Sequence, residues 1–379
     1  MKQVIVALTF VLLLSLTGCG SDRSDATRPP DPISTPLAQS VLPTPTSAPT
    51  QPPVTALPSP VPLTGEWRRF TTADGLCTDS PVFIGPGHIG TGTTTICAIP
   101  DLIDGLDWRT MTVPQGTRVT AALNFSPGGT LGVATDAGIC YDMAWMRCEK
   151  PCGQVWECQG QEQGFPYRDI RGMLDLNSEP VYMLTDTIVC DGQLYDIPQI
   201  LGEQDARPTL MAISGGFSSS PMIWIVTNGY GLLTIRVKTG EVTQHSVSTG
   251  LPSNEIRDID TSGDRGFDDY SLWAATDQGI GYWGGEQWIA YTTTDGLPSN
   301  DVRSVSSGGS RSKNVWVATA GGPAYFNGQA WQAVSLPGGL PAGALTGVSA
   351  WGVHDGQQSV WFSTLESGLL LFLAELSAP

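Results

Sequence analysis

Apolar positions along this chain fall in short runs that stop at a Thr, cross a polar turn and resume for a second short run. The clearest copies read IWIVTNGYGLLTI at 223–235, LWAATDQGIGYW at 272–283, VWVATAGGPAYF at 315–326 and VWFSTLESGLLLF at 360–372. Weaker copies are LGVATDAGICY at 131–141, VYMLTDTIVC at 181–190 and GTGTTTIC at 90–97. β-Branched and aromatic residues flanking a tight Gly-containing turn mark a hairpin. Aligned on the position that holds Thr in the clear copies (92, 135, 185, 227, 276, 319 and 364), the intervals scatter around roughly 45 residues. That period, with several short strands per repeat, predicts an all-β fold, a β-propeller of seven blades.

One blade can be read strand by strand. Around residue 276 the run IRDIDTS (256–262) supplies the innermost strand a, LWAAT strand b, GIGYW strand c and QWIAYT (287–292) the outer strand d. Trp224, Trp273, Trp316 and Trp361 share one position on strand b, where packing between blades accounts for them. The last copy has strands a, b and c, but the sequence stops at Pro379 without a recognisable d. GEWRRFTTADGL at 65–76 matches EQWIAYTTTDGL at 286–297. The first strand is therefore expected to complete the last blade, with Trp67 beside the strand around Leu369–Leu373. Such closure removes two sheet edges that would otherwise be open to pairing with other chains.

Residues 1–18 read as a secretion signal: Lys2, an apolar stretch from Val4 to Leu14, then small residues. The stretch is too short to remain as a membrane span. Leu16-Thr17-Gly18-Cys19 looks like a bacterial lipobox, and proteins carrying that motif are acylated on the Cys. Cys19 is thus the expected lipidation site and the expected link to a membrane. Residues 19–63 are rich in Pro, Thr and Ser, a composition that cannot bury a core and stays extended. At about 3.1 Å per residue such a stalk reaches roughly 130 Å. The propeller itself is expected over 64–379, outside the cytoplasm.

The net charge of −17 argues against nucleic acid as a partner and against electrostatic adhesion to anionic lipid. With Cys19 assigned to lipid, Cys77, Cys97, Cys140, Cys148, Cys152, Cys158 and Cys190 remain, and an exported chain permits disulfides. Their odd number leaves at least one free or paired outside the chain. Cys97, Cys140 and Cys190 align on strand c of blades 1, 2 and 3, too far apart to bridge one another. Cys140 with Cys148, and Cys152 with Cys158, are the expected local pairs. CEKPCGQVWEC lacks a fourth ligand at useful spacing for zinc, so no metal or other cofactor is expected.

In a propeller the d–a and b–c connections open on one face. The candidate ligand-binding residues lie there: Asp74, Asn254, Asp295 and Asn300 in the d–a segments, and Asp136, Asp186 and Asp277 in the b–c hairpins, with Asn228 beside them. Asp and Asn before Gly also cap turns through side-chain hydrogen bonds. Together they predict an acidic, hydrogen-bonding funnel suited to a sugar, a peptide or a cation. Two departures from the repeat stand out. One is the blade 2 excursion at 142–168, with Trp145, Trp156, Phe165 and Tyr167 as candidate contact aromatics or as packing over a blade edge. The other is TSGDRGFDDYS at 261–271, whose Asp264, Asp268 and Asp269 do not match the spacing of an EF-hand loop and read as a solvated acidic loop. Catalysis has little support. His88, His245 and His354 fall in different blades, and no GxSxG, HExxH or P-loop is present.

TGLPSNEIRDI (249–259), LWAATDQGIGYW, DGLPSNDVRSV (295–305) and VWVATAGGPAYF together resemble the two-component regulator propeller repeat. The likeness is good across blades 4–6, fair at 66–76 and poor in blades 1–3. The resemblance implies an extracytoplasmic sensory module, with Asp74, Asn254, Asp295 and Asn300 at its motif positions. The expectation is a monomeric, non-catalytic lipoprotein that binds a glycan, peptide or protein, without a signalling output of its own. Two alternatives stand beside it. A lyase or hydrolase would need His88 or His354 clustered with carboxylates, and an envelope-assembly scaffold would need eight blades.

Overall fold

The structure is a computed structural model. It describes residues 63–376 except 82, 86–87, 92, 99–108, 115, 117, 126–129, 143–155, 161, 163, 168, 177–178, 216–220, 262–270, 308–313, 339 and 355–356. The signal, Cys19, the stalk, Trp145, Cys148, Cys152 and the acidic loop at 262–270 lie outside the described residues.

Seven four-stranded antiparallel sheets follow one another along the chain. Blade 5 is typical, with strand a at Ile256–Asp260, b at Leu272–Thr276, c at Gly279–Trp283 and d at Trp288–Tyr291. Blades 1–4 and 6 repeat that order, while the last sheet runs Leu345–His354, Gln357–Thr364, Leu369–Glu375 and then Thr64–Phe70. The first strand of the domain therefore completes the seventh blade. Trp67 lies opposite Phe372, within the segment the sequence indicated. Its ring packs tilted against Phe372 with centroids 4.6 Å apart, and its indole N–H donates to the Ser335 carbonyl at 3.0 Å in the segment leading from blade 6 to blade 7.

The repeated Thr has a defined task. The hydroxyls of Thr135, Thr276 and Thr319 donate to the carbonyls of Gly138, Gly279 and Gly322 at 2.7–3.1 Å across the b–c turn. Each also accepts the N–H two residues on, from Ala137, Gln278 and Gly321. One side chain thus closes the turn from both sides. The Gly is required because it sits at φ +127 in blade 5, where a Cβ would lie 2.4 Å from the Tyr291 carbonyl. These bonds also correct the alignment of the weak copies. In blade 1 the turn is entered at Thr91, whose hydroxyl donates to the Thr95 carbonyl at 2.7 Å, one residue before position 92. In blade 3 it is entered at Leu184, so Thr185 and Asp186 form the turn itself.

Packing occurs between blades. Trp224, Trp273, Trp316 and Trp361 are 0–4% exposed, and each faces the following blade, as expected. Trp316 crosses to blade 7 by donating its indole N–H to Gln358 at 2.8 Å. Cys190 is displaced by the shifted turn of blade 3, so it stands one position further along strand c than Cys97 and Cys140 and faces blade 4. The disulfides differ from the expected local pairs. Cys140 bonds Cys158, directly opposite on strand d of blade 2, and Cys77 bonds Cys97, fastening the segment after the closing strand to blade 1. The reason is that residues 156–160 form the outer strand, which brings Cys158 rather than Cys148 into register with Cys140.

Candidate functional site

The d–a connections are built by one recurring set of hydrogen bonds. Asp74 and Asp295 each accept the backbone N–H three residues back, from Thr71 at 2.9 Å and Thr292 at 2.8 Å. Asn254 and Asn300 accept the N–H groups of Val247 and Thr293, at 2.9 and 2.8 Å. Asp79, which the sequence reading passed over, does the same for Thr72 at 2.7 Å and also takes its hydroxyl. Ser253, Ser299 and Thr78 then accept the N–H two residues ahead. The motif residues of this segment therefore hold its backbone.

The b–c hairpins are looser. Asp136 accepts the Arg118 N–H at 3.4 Å, and the exposed Asp186 carboxylate accepts the neighbouring Thr187 hydroxyl at 2.9 Å. The Ser253 hydroxyl beside Asp277 holds that carboxyl below the ordinary carboxylate range. Asn228 spans its turn by accepting from the Arg207 N–H and donating to the Asp205 carbonyl. All these groups lie on the face formed by the b–c and d–a connections. Trp156 is elsewhere: it sits half-buried on the outer strand of blade 2, against the core shared by blades 1 and 2. Phe165 and Tyr167 pack on Tyr182 of blade 3, with ring centroids 5.6 and 5.5 Å away.

The same face carries cations that the sequence reading did not anticipate. Strand a bulges near its start in five blades, leaving Thr120, Thr209, Arg257, Arg303 and Thr346 as the extra residues. By register Arg171 takes this position in blade 3, since Gly172 pairs with Met183 one residue before the turn. Bulges of this kind re-aim a side chain at a sheet end. Here several reach the next blade. Thr120 donates to the Ile170 carbonyl, Arg257 pairs with Asp301, and Arg303 donates to the Gly343 and Leu345 carbonyls at 2.7 and 2.9 Å. Arg118 and Arg207 stand immediately before strand a of blades 2 and 4. Every blade from 2 to 6 thus places an arginine at this inner rim. The other described basic residues are only Arg68, Arg69, Arg109, Arg236 and Lys238. The face therefore carries arginines among its carboxylates. Arg257 and Arg303 stand three residues after the motif Asn254 and Asn300, but loop length varies in the other blades, so Arg118, Arg171 and Arg207 are revealed only by the strand register.

Below the rim the inner strands are laced together. Asp258 accepts from the Ser304 hydroxyl at 2.5 Å and the Val305 N–H at 3.0 Å, both in blade 6. Ser304 in turn accepts the Val348 N–H of blade 7 at 3.1 Å. Asp260 repeats the contact one step deeper, taking the N–H and hydroxyl of Ser307. Burial pushes the Asp258 carboxyl up to about 6.

The histidines do not meet on this face. His245 is buried among Trp224, Trp283 and Trp288, accepts the Trp288 indole N–H at 3.3 Å, and is pushed down to about 4 by burial. His88 and His354 stand on strands at their a–b connections, the opposite end of the blades. Cys190 is buried, and that burial pushes its thiol up to about 12. Among the described residues no group of three or more His, Cys, Asp or Glu is placed to hold a metal ion, and no helix is long and apolar enough to cross a membrane.

No family model matches the chain, and no curated protein matches it. Solved structures do. The chain is 14% identical, at TM-score 0.51, to the extracellular domain of what is described as a one-component system of B. thetaiotaomicron. The alignment covers 81% of this chain and 40% of that one, so the chain spans less than half of that relative's length. The β-propeller domain of Cps50 (Swd1) from Myceliophteria thermophila is 13% identical at TM-score 0.52, covering 83% of this chain and 100% of that one. The fold is a β-propeller. The extracellular domain of a hybrid two-component system of B. thetaiotaomicron aligns more loosely, at TM-score 0.40 and 14% identity, over 68% of this chain and 40% of that one.

Proposed function

We propose that this chain is a non-catalytic, extracytoplasmic binding module, a sensor-like propeller held to a membrane by lipid on Cys19. The observation that carries the reading is the b–c and d–a face. It gathers arginines from five successive blades and half-exposed turn carboxylates on a backbone already satisfied by its own side chains. Polar groups so arranged bind a ligand without reorganising the turns that present them. Of the histidines, His245 stands at this end but is buried with its neutral form favoured, while His88 and His354 stand at the opposite end. A likeness in fold to a sensor's extracellular domain accords with this role.

The test is binding of the full chain to a panel of glycans and peptides, followed by recovery of whatever binds. The ligand is expected back unaltered. Turnover that disappears on substituting His88 or His354 would replace this reading with an enzymatic one. For the anchor, Cys19→Ser is expected to move the protein from the membrane to the soluble fraction of cells, and retention on the membrane would count against lipidation.

A further inference from the structure

Blades 5 and 6 show what an anion does at the inner rim. Asp301, the residue before strand a of blade 6, sets its carboxylate against Arg257, the bulge residue of blade 5. Arg303 adds a second guanidinium at 3.8 Å. One carboxylate thus joins arginines from two neighbouring blades.

The junction of blades 3 and 4 has the same register and a different charge. Arg171 holds the bulge position that Arg257 holds in blade 5. Arg207 holds the position of Asp301: each precedes strand a, and each backbone carbonyl accepts the first N–H of the b–c turn, from Asn228 at 3.1 Å and Ala320 at 2.9 Å. Two guanidiniums therefore occupy positions that elsewhere hold an opposite pair.

We infer that this junction binds an anionic group of the ligand, a carboxylate or sulfate, between Arg171 and Arg207, in the manner in which Asp301 is held between Arg257 and Arg303. The inference rests on the reading of this face as ligand-binding. Arg171 is exposed, and among the described residues its guanidinium makes no hydrogen bond or ion pair. Arg207 is oriented by donating one nitrogen to the Gln204 and Ala206 carbonyls, at 2.9 and 2.6 Å, which leaves the remaining donors of its fork available. The carboxylate near it, Asp205, takes the Tyr230 hydroxyl at 2.5 Å. Planar guanidiniums with fixed donor spacing suit bidentate carboxylate or sulfate better than lysines would. The two positions come from neighbouring blades at matching register, so an anion between them would gain from both guanidiniums.

Citrate is the probe, titrated into the full chain by calorimetry at constant ionic strength, with chloride as the control. Saturable binding is expected, weakened at least tenfold in Arg171→Gln and in Arg207→Gln and unchanged in Arg236→Gln, which lies on strand c away from the rim. Arg207→Asp rebuilds the pair of blades 5 and 6, so it should lose citrate while melting no lower than the parent. Absence of saturable binding, or equal binding in the Arg171 and Arg207 variants with the fold intact, overturns the inference. If neutral glycans or peptides bind this face while citrate does not, the inference fails and the broader binding role stands.

Discussion

At the scale of single residues, the conformation of blades 2 and 4–7 depends on a Thr–Gly pair at the b–c turn. Gly279 at φ +127, with strand d running against it, has no room for a side chain. Gly279→Ala is expected to destabilise the protein by more than about 1 kcal/mol, read as a lower urea midpoint. Two buried titratable groups also act at this scale, with opposite signs. His245 falls from its ordinary 6.5 to about 4, so the unfolded chain binds more protons between those values and stability declines as pH drops through them. Asp258 rises from 3.8 to about 6, so the folded chain binds more protons there, and stability present at low pH is lost as pH rises through 6. The two slopes oppose each other between pH 4 and 6. Asp258→Asn should therefore make stability fall visibly on acidification over that window, and His245→Asn should make it rise. Denaturant midpoints at several pH values check both, and parallel profiles for the two variants would contradict the assignment.

At the scale of strands and connections, the disulfides and the closing strand secure the seam. Cys77–Cys97 joins the crossover after Thr64–Phe70 to blade 1, in a core with Phe70, Leu76 and Trp361. Opening it by Cys77→Ala with Cys97→Ala is expected to cost about 2–4 kcal/mol, as a lower denaturant midpoint than the parent's. Much at this scale was legible in the sequence. The blade count, the closing strand and the role of the four strand-b tryptophans follow from a hydrophobic pattern that repeats because each blade buries the same faces. What was hidden depends on register. Three Thr at 93–95 follow Thr91 and mask the true turn of blade 1, and a Leu replaces the Thr of blade 3. A shift of one residue sends a side chain to the other face of the sheet, which is why Cys190 was placed with Cys97 and Cys140. Cys158 was missed as the partner of Cys140 because the outer strand of blade 2 lacks the repeat's usual spacing. The candidate site was legible only in position. Asp74, Asn254, Asp295 and Asn300 lie in the d–a connections, yet their side chains hold turns, and of the arginine rim only Arg257 and Arg303 share a position in the repeat motif.

At the scale of the whole molecule, an acidic chain concentrates arginines at one end of its inner strands. The net charge of −17 gave no sign of this, because net charge carries no position. The rim is assembled from five blades, and the inner strands of blades 5–7 are tied together beneath it through Asp258, Ser304 and the Val348 N–H. Such an arrangement depends on a ring that stays shut, and the ring is shut by pairing Thr64–Phe70 with Leu369–Glu375. Hydrogen–deuterium exchange read on peptides covering 64–70 tests this most directly. The account predicts that amides of the closing strand are protected to the same order as those of 369–375 and become exposed together with them. Exchange of 64–70 at the rate of an unstructured peptide, while 345–375 stays protected, would contradict it.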